Sequence, residues 1–307
     1  MQSTYGPISI SEIIIAGFKM IADERIANIE SYPNVDKEEL THKVRITIKQ
    51  FRALLRLIRP IISAEIYDQN NINLRDAGRR LSAIRDIVIA RNLIKELLEE
   101  VSSIQNQDRL EVILKELARQ ASSQLSFDKS EVLANTIIVL KETRNYFTKL
   151  NLQKEGWDIL LQGLKGTYDR ARKIMKQANN SHNDKYSHNW RKVSKDLWYQ
   201  LQYIELVKSN GLAVIIKRLK QLNKNLGRYH DYVVLIDRLR AHREIFGGNN
   251  IVDPVIEILN DRKERLRRVS FKVGKKIFSI KPNKFLSVIL TDEMKRSKLG
   301  NFTENVR

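Results

Sequence analysis

Two stretches of this chain carry the same spacing of histidine, arginine and lysine. That duplication limits what the chain can fold into more than any other feature. His42, Arg45 and Lys49 recur as His188, Arg191 and Lys195; both sets read H-x-x-R-x-x-x-K, 146 residues apart. A second set, Leu74, Arg75, Arg79, Leu81 and Asp86, recurs as Leu219, Lys220, Lys224, Leu226 and Asp231 at an offset of 145. Two matches at nearly one offset point to a duplicated unit, with pseudo-twofold symmetry between the copies.

The spacing is helical. At about 100° per residue, with His42 at 0°, Arg45, Lys49, Arg52 and Arg56 fall at roughly 300°, 340°, 280° and 320°. These basic-type side chains share one face, while Val44, Phe51, Leu54, Leu55 and Ile58 lie opposite. In the second copy His188, Arg191 and Lys195, with Lys192 beside them, oppose Trp190, Val193, Leu197, Leu201 and Ile204. Further along, Lys217, Lys220 and Lys224 oppose Leu219, Leu222 and Leu226. Like charges at these spacings repel, and no acid is read within the strips to neutralise them. For one helix a solvated basic face explains this as well as a site does. Matched strips in both halves favour a shared anion, since arginine offers a planar fork for phosphate oxygens and lysine a mobile point charge. A lone histidine is more often structural, but each of these opens a basic strip, and a nearby phosphate would favour its protonated form.

Helical periodicity runs along the whole chain and alternating strand patterns are absent. Helices are expected over Ser11–Ile29, from the Asp36/Glu39 capping pattern to Pro60 and kinked onward to about Tyr67, over Ile72–Val101, and over Gln107–Ser122. More follow over 130–150, 156–178, 185–208, 212–227, 230–246 and 252–278, with a break expected at Gly227 before Asp231. Asp86 and Asp231 are expected to orient basic side chains or cap such a break. The expected architecture is all-α: two antiparallel helical bundles related by the internal repeat, with a basic groove or cavity between them. Within a single 307-residue domain, repeat 1 covers about 10–125, a connecting helix 126–155, repeat 2 156–284, and a short turn with a loose tail 285–307.

Charge narrows the partner. Net charge is +19, and its placement is uneven. Residues 1–155 carry 23 Lys/Arg and 21 Asp/Glu, whereas residues 156–307 carry 32 and 15. The partner is therefore anionic. The absence of cysteine excludes disulfides, thiolate catalysis and Cys-ligated zinc, and fits a cytoplasmic protein. No apolar run reaches the 18 residues of a membrane span, and no signal-peptide pattern opens the chain. Residues 262–284 hold ten Lys/Arg and one acid; a solvated outer face is the preferred reading there.

These residues resemble the CHAD family, the "conserved histidine α-helical domain". His42–Pro60 looks like its first histidine helix, and Leu81–Val88, with Arg85-Asp86, like its "RD" helix. Gly163–Arg172, with Tyr168, Arg170 and Arg172 in register, looks like its Gly-Leu…Tyr-x-Arg-x-Arg segment. His188–Tyr199 matches the second histidine helix and Leu219–Asp231 the Leu-Lys-x-Leu…Leu-Gly…Asp segment. The resemblance covers roughly residues 10–280. It implies a basic central cavity that binds inorganic polyphosphate, association with polyphosphate granules, and Arg170 and Arg172 as further ligand residues. Gln50, Trp198 and Ser82 depart from the family pattern, where a basic residue, an arginine and a glycine are usual.

The leading expectation is non-catalytic polyphosphate binding by the two strips together with Arg75, Arg79, Arg170, Arg172, Lys217, Lys220 and Lys224, with no cofactor or metal. Nucleic-acid binding is the first alternative; the strips lack interleaved aromatics, so only weak, non-specific binding is expected. A phosphoanhydride-processing enzyme is the second. Neither a phosphate-cradling G-x-x-x-x-G-K-[ST] nor an H-E-x-x-H motif is present to support it.

Overall fold

The computed structural model describes residues 9–31, 37–81, 85–125, 130–150, 157–181, 183–208, 211–287 and 289. Regular structure among them is helical, without strands. The first helix, α1 (Ile10–Glu30), opens on a capping box: Ser9 Oγ accepts the Glu12 N–H at 3.1 Å and Glu12 Oε2 accepts the Ser9 N–H at 2.8 Å. Helix α2 (Lys37–Ile58) stops where Pro60, which has no N–H to donate, enters a 3-10 turn at Arg59–Ile61. It does not continue to Tyr67 as expected. Tyr67 belongs to α3 (Ala64–Arg80), a separate helix whose N-cap Ser63 accepts the Ile66 N–H at 3.2 Å. The Asp36 cap lies outside the described residues.

Two further helix boundaries correct the sequence reading. The expected helix over Ile72–Val101 is two helices, α3 and α4 (Arg85–Glu100). The expected break at Gly227 is absent: α9 (Ala213–Ala241) runs straight through it. Leu222 and Leu226 before the glycine, and Tyr229 and Tyr232 after it, are all buried, so packing on both sides carries the helix across. The remaining helices are α5 (Ile104–Leu125), α6 (Ser130–Thr148), α7 (Asp158–Ser181), α8 (Asp184–Lys208) and α10 (Asn249–Phe278). Between α9 and α10 the chain reverses through Gly247 and Gly248 at φ 95° and 80°, a conformation open to glycine and costly for side-chain-bearing residues.

Burial repeats with the sequence. At the 146-residue offset Val44 and Trp190, Phe51 and Leu197, Leu55 and Leu201, and Ile58 and Ile204 are all buried. At the 145-residue offset α3 and α4 together match α9: Leu74 pairs with Leu219, Leu81 with Leu226, Ile87 with Tyr232 and Ile94 with Leu239. The match extends to helix crossings. Gly17 on α1 lies against Tyr203 and Val207 of α8, where an added Cβ would sit 2.3 Å from Val207 Cγ1. Gly163, 146 residues on, lies against Leu57 of α2, where an added Cβ would sit 1.9 Å from the Leu57 carbonyl oxygen. Leu57 and Tyr203 are themselves 146 residues apart. Each half of the sequence thus sets one helix against the histidine-bearing helix of the other, α1 on α8 and α7 on α2.

The apolar side chains form two cores, and neither belongs to one copy. The larger joins α1, α2, α3 and α6 to α7, α8, the first half of α9 and the end of α10. The smaller joins α4 and α5 to the second half of α9 and the start of α10. Beyond α10, Phe285 and Ile289 also pack into the larger core, and Phe285 stacks on Tyr168 with ring centroids 3.9 Å apart. The stretch from 285 is therefore anchored at its start rather than loose; residues 290–307 lie outside the described part. No helix among the described residues is long and apolar enough to cross a membrane.

Candidate functional site

The buried faces of α2, α3, α8 and α9 point into the cores. The faces they leave over line a cleft of about 520 Å³. Helix α2 supplies Arg45, Lys49, Arg52 and Arg56, one turn apart as their helical spacing requires. Helix α3 adds Arg75 and Arg79, and α8 adds His188, Arg191, Lys192, Lys195 and Asp196. His230 and Asp231 come from α9, while Ile89 and Ala90 of α4 form an apolar patch of wall. Nine Lys/Arg side chains thus meet two carboxylates, drawn from residues far apart in sequence.

The electrostatics carry the mark of that crowding. The Arg52 guanidinium is brought down to about 10 by burial and by Arg56, against the opposite pull of Asp196. Lys192 is lowered by burial first, then by Arg52, Arg191, Arg79 and Arg56, so cations of the first copy act directly on one of the second. Some of the cations are held by neutral or acidic neighbours. Arg52 Nε donates to Asn71 Oδ1 at 3.0 Å, Arg45 donates to the Gly78 carbonyl at 3.4 Å, and Arg75 grips Asp76 through two bonds at 2.8 and 3.2 Å. These contacts orient the forks while leaving the excess of positive charge in place.

Asp196 is the acid the strips were read as lacking. Its carboxylate meets Arg56 Nη1 at 3.0 Å across the cleft, with both side chains largely buried. Burial raises its pKa, and Arg56, Arg170 and Arg52 oppose the rise. The residue follows Lys195 on α8 and is the 146-residue counterpart of Gln50, so a purely basic template hides it. Gln50 itself turns away from the cleft. It is buried and accepts a 2.9 Å bond from Arg25 Nε.

The histidines do not behave as a symmetric pair. His42 is exposed and lies off the cleft lining, one turn before Arg45. His188 lies in the cleft, its ring centroid 4.3 Å from that of His230 at a 40° tilt. Sequence reasoning missed His230. The available signal was the second repeat offset, which sets His230-Asp231 against Arg85-Asp86. The side chains of Arg85, Asp86 and Ser82 lie outside the described residues. Both cleft histidines are neutral at pH 7: burial, then Lys192 and Arg191, bring His188 down to about 4. Burial, Arg191, His188 and Lys192 bring His230 down to about 3, with Asp184 pulling weakly the other way.

Of the sixteen ligand residues expected from sequence, ten line the cleft; His42, Arg170, Arg172, Lys217, Lys220 and Lys224 do not. The three lysines are exposed on the first half of α9. Lys220 and Lys224 match Arg75 and Arg79 in sequence but not in position, because the helical phase of a repeat says nothing about which face a neighbouring helix covers. Arg170 is exposed on α7 and reaches the cleft only through its field at Asp196. Arg172 is held elsewhere: its Nε donates to the Phe278 carbonyl at 3.2 Å. Tyr168 Oη donates to the Ile277 and Ile280 carbonyls at 3.0 and 3.1 Å, so the Tyr-x-Arg-x-Arg segment caps the end of α10. The basic 262–284 stretch lines no part of the cleft; Arg262 pairs with Glu100, and Lys263 with Asp184 at 3.3 Å. Among the described residues no group of three or more His, Asp or Glu side chains converges as a metal site.

Comparison with curated proteins returned no match. A family model described as the CHAD domain matches residues 21–240, a span that takes in α2, α3, α8 and nearly all of α9 and so every side chain lining the cleft. With more than two thirds of its length matched, the chain belongs to the CHAD domain family.

Proposed function

We propose that the protein binds inorganic polyphosphate in the α2/α3/α8/α9 cleft and does not turn it over. The observation that carries this reading is the convergence, among the described residues, of nine Lys/Arg side chains and two carboxylates on one cleft. The CHAD domain match is consistent with it. A linear polyanion suits many moderate contacts spread along a helix: from Arg45 to Arg56 the strip runs about 16 Å. No Tyr, Trp or Phe is among the described residues lining the cleft, which favours an inorganic chain over stacked bases. A pseudo-twofold relation between the copies, with the cleft between them, is supported by the shared burial pattern and by the paired Gly17 and Gly163 crossings. Binding without catalysis is supported by the pairing of Asp196 with Arg56. Attachment to a polyphosphate particle in the cytoplasm, or regulation by polyphosphate, would use the same cleft.

The combined change of Arg45, Lys49, Arg191 and Lys195 to alanine is expected to abolish binding of long-chain polyphosphate at near-physiological salt, measured by fluorescence anisotropy. Unchanged affinity in a folded variant would sink the assignment of the cleft. Competition by short DNA as strong as by unlabelled polyphosphate would favour a nucleic-acid reader. Orthophosphate release during incubation with Mg²⁺ would revive an enzymatic reading.

A further inference from the structure

His188 and His230 stand out within the cleft because they are titratable aromatic groups on a wall whose charged side chains are mostly Lys and Arg. The rings lie 4.3 Å apart on facing helices. His188 Nδ1 is a buried polar atom with no hydrogen-bond partner among the described residues. A buried nitrogen without a partner is costly unless a ligand supplies one. The second copy also carries histidine where the first carries Arg85, so a group that can gain and lose charge stands where a fixed charge would serve binding alone.

We propose that His188 and His230 form a proton-accepting phosphate subsite, so that this chain takes up protons when its cleft fills with polyphosphate. The inference rests on the polyphosphate reading above and goes beyond it by coupling that binding to pH.

The charges facing the pair give the coupling its direction. On α8 they are Arg191, Lys192 and, at the helix start, Asp184. On α9 Asp231 follows His230, and Tyr229 precedes it, its hydroxyl bonded to Asp184. Across the cleft α2 presents Arg45, Lys49 and Arg52, and α3 presents Arg79. From α10 Lys263 pairs with Asp184 at 3.3 Å. In the empty cleft the cations dominate, and both imidazoles stay neutral far below their ordinary range. A phosphate chain does two things at once. Its charge attracts protons onto the rings, and it cancels the repulsion from Arg191 and Lys192. An anion within 4–6 Å raises a neighbouring pKa by roughly 1–3 units. The occupied cleft then holds protons that the empty cleft refuses, and by linkage affinity rises as pH falls. Terminal phosphates titrate near pH 6 and lose protons when cations surround them, which works the other way. Long chains, with few ends per bound cleft, therefore isolate the histidine contribution.

The test is the affinity of the full chain for long-chain polyphosphate from pH 8 to pH 6 at fixed ionic strength, with net proton uptake measured by calorimetry in two buffers of different ionisation enthalpy. Below about pH 6.5 the unfolded histidines take protons that the buried ones refuse, so the fold itself loses stability. Circular dichroism must show a folded protein at each pH. Wild type is expected to bind roughly two- to fivefold tighter at pH 6 than at pH 7, the range for uptake of about a third to three quarters of a proton. His230→Arg puts a fixed cation at the site; it is expected to bind with less than about a twofold change over the same range. His188→Gln/His230→Gln should behave likewise with weaker affinity. Tight binding by wild type that does not change with pH, or proton uptake that persists in both variants, overturns the coupling and leaves polyphosphate binding standing. Failure to bind at every pH overturns both readings.

Discussion

Asp196 shows how one side chain is pulled by folding and by ligand binding in opposite senses. Its carboxylate ties α8 to Arg56 of α2, yet it lowers the positive charge of the cleft. Asp196→Asn keeps the size and a hydrogen-bond acceptor but leaves Arg56 uncompensated. It is expected to cost about 1–3 kcal/mol in stability by urea unfolding, below the range for a fully buried pair because the cleft admits water. The same variant should bind polyphosphate several-fold tighter. Lower stability together with weaker binding would mean that Asp196 shapes the site instead of opposing the ligand. At this scale sequence legibility is mixed. Arg45, Lys49, Arg191 and Lys195 follow from their spacing, because a helix fixes which residues share a face. Asp196 and His230 do not follow, because each earns its place from a partner on another helix.

Helix α9 and the pair α3 and α4 carry the same repeated pattern in different forms: one continuous helix against two. Gly227 was the reason to expect a break, and the fold gives it another setting. An added Cβ there would lie 3.8 Å from Arg191 Nε, an ordinary contact. Gly227→Ala should therefore raise stability by about 0.5–1 kcal/mol through helix propensity. Gly163→Ala, at a position of the same intrinsic propensity, should lower it by about 1–3 kcal/mol or more, since its Cβ would meet the backbone of α2. Thermal melts of the two variants should shift in opposite directions. A common direction would mean that propensity alone governs both sites and that the α2–α7 crossing can open without penalty. Element type was legible from the 3.6-residue period, but the boundaries at Leu81 and Gly227 were not. Burial on both sides can carry a helix over a glycine.

Across the whole molecule, α1 packs on α8, α7 packs on α2, and both cores draw helices from the two halves of the chain, so the cleft depends on contacts distant in sequence. Nine cations against two carboxylates should make polyphosphate binding steeply dependent on salt. On the coefficient for single-stranded polyanions, log K should fall against log salt with a slope of roughly −5 to −6. A slope near −1 would indicate a local contact at one end of the strip and would count against a chain laid along the cleft. The sequence by itself determined the helical class and the basic faces of α2 and α8, because these rest on short-range period and composition. Only the tertiary structure decided that Lys217, Lys220 and Lys224 lie outside the cleft, that Tyr168 and Arg172 cap α10, and that His188 meets His230. Those outcomes depend on which helix faces cross. Crossings are set by steric contacts such as Gly17 on Tyr203 and Gly163 on Leu57, between residues more than a hundred positions apart.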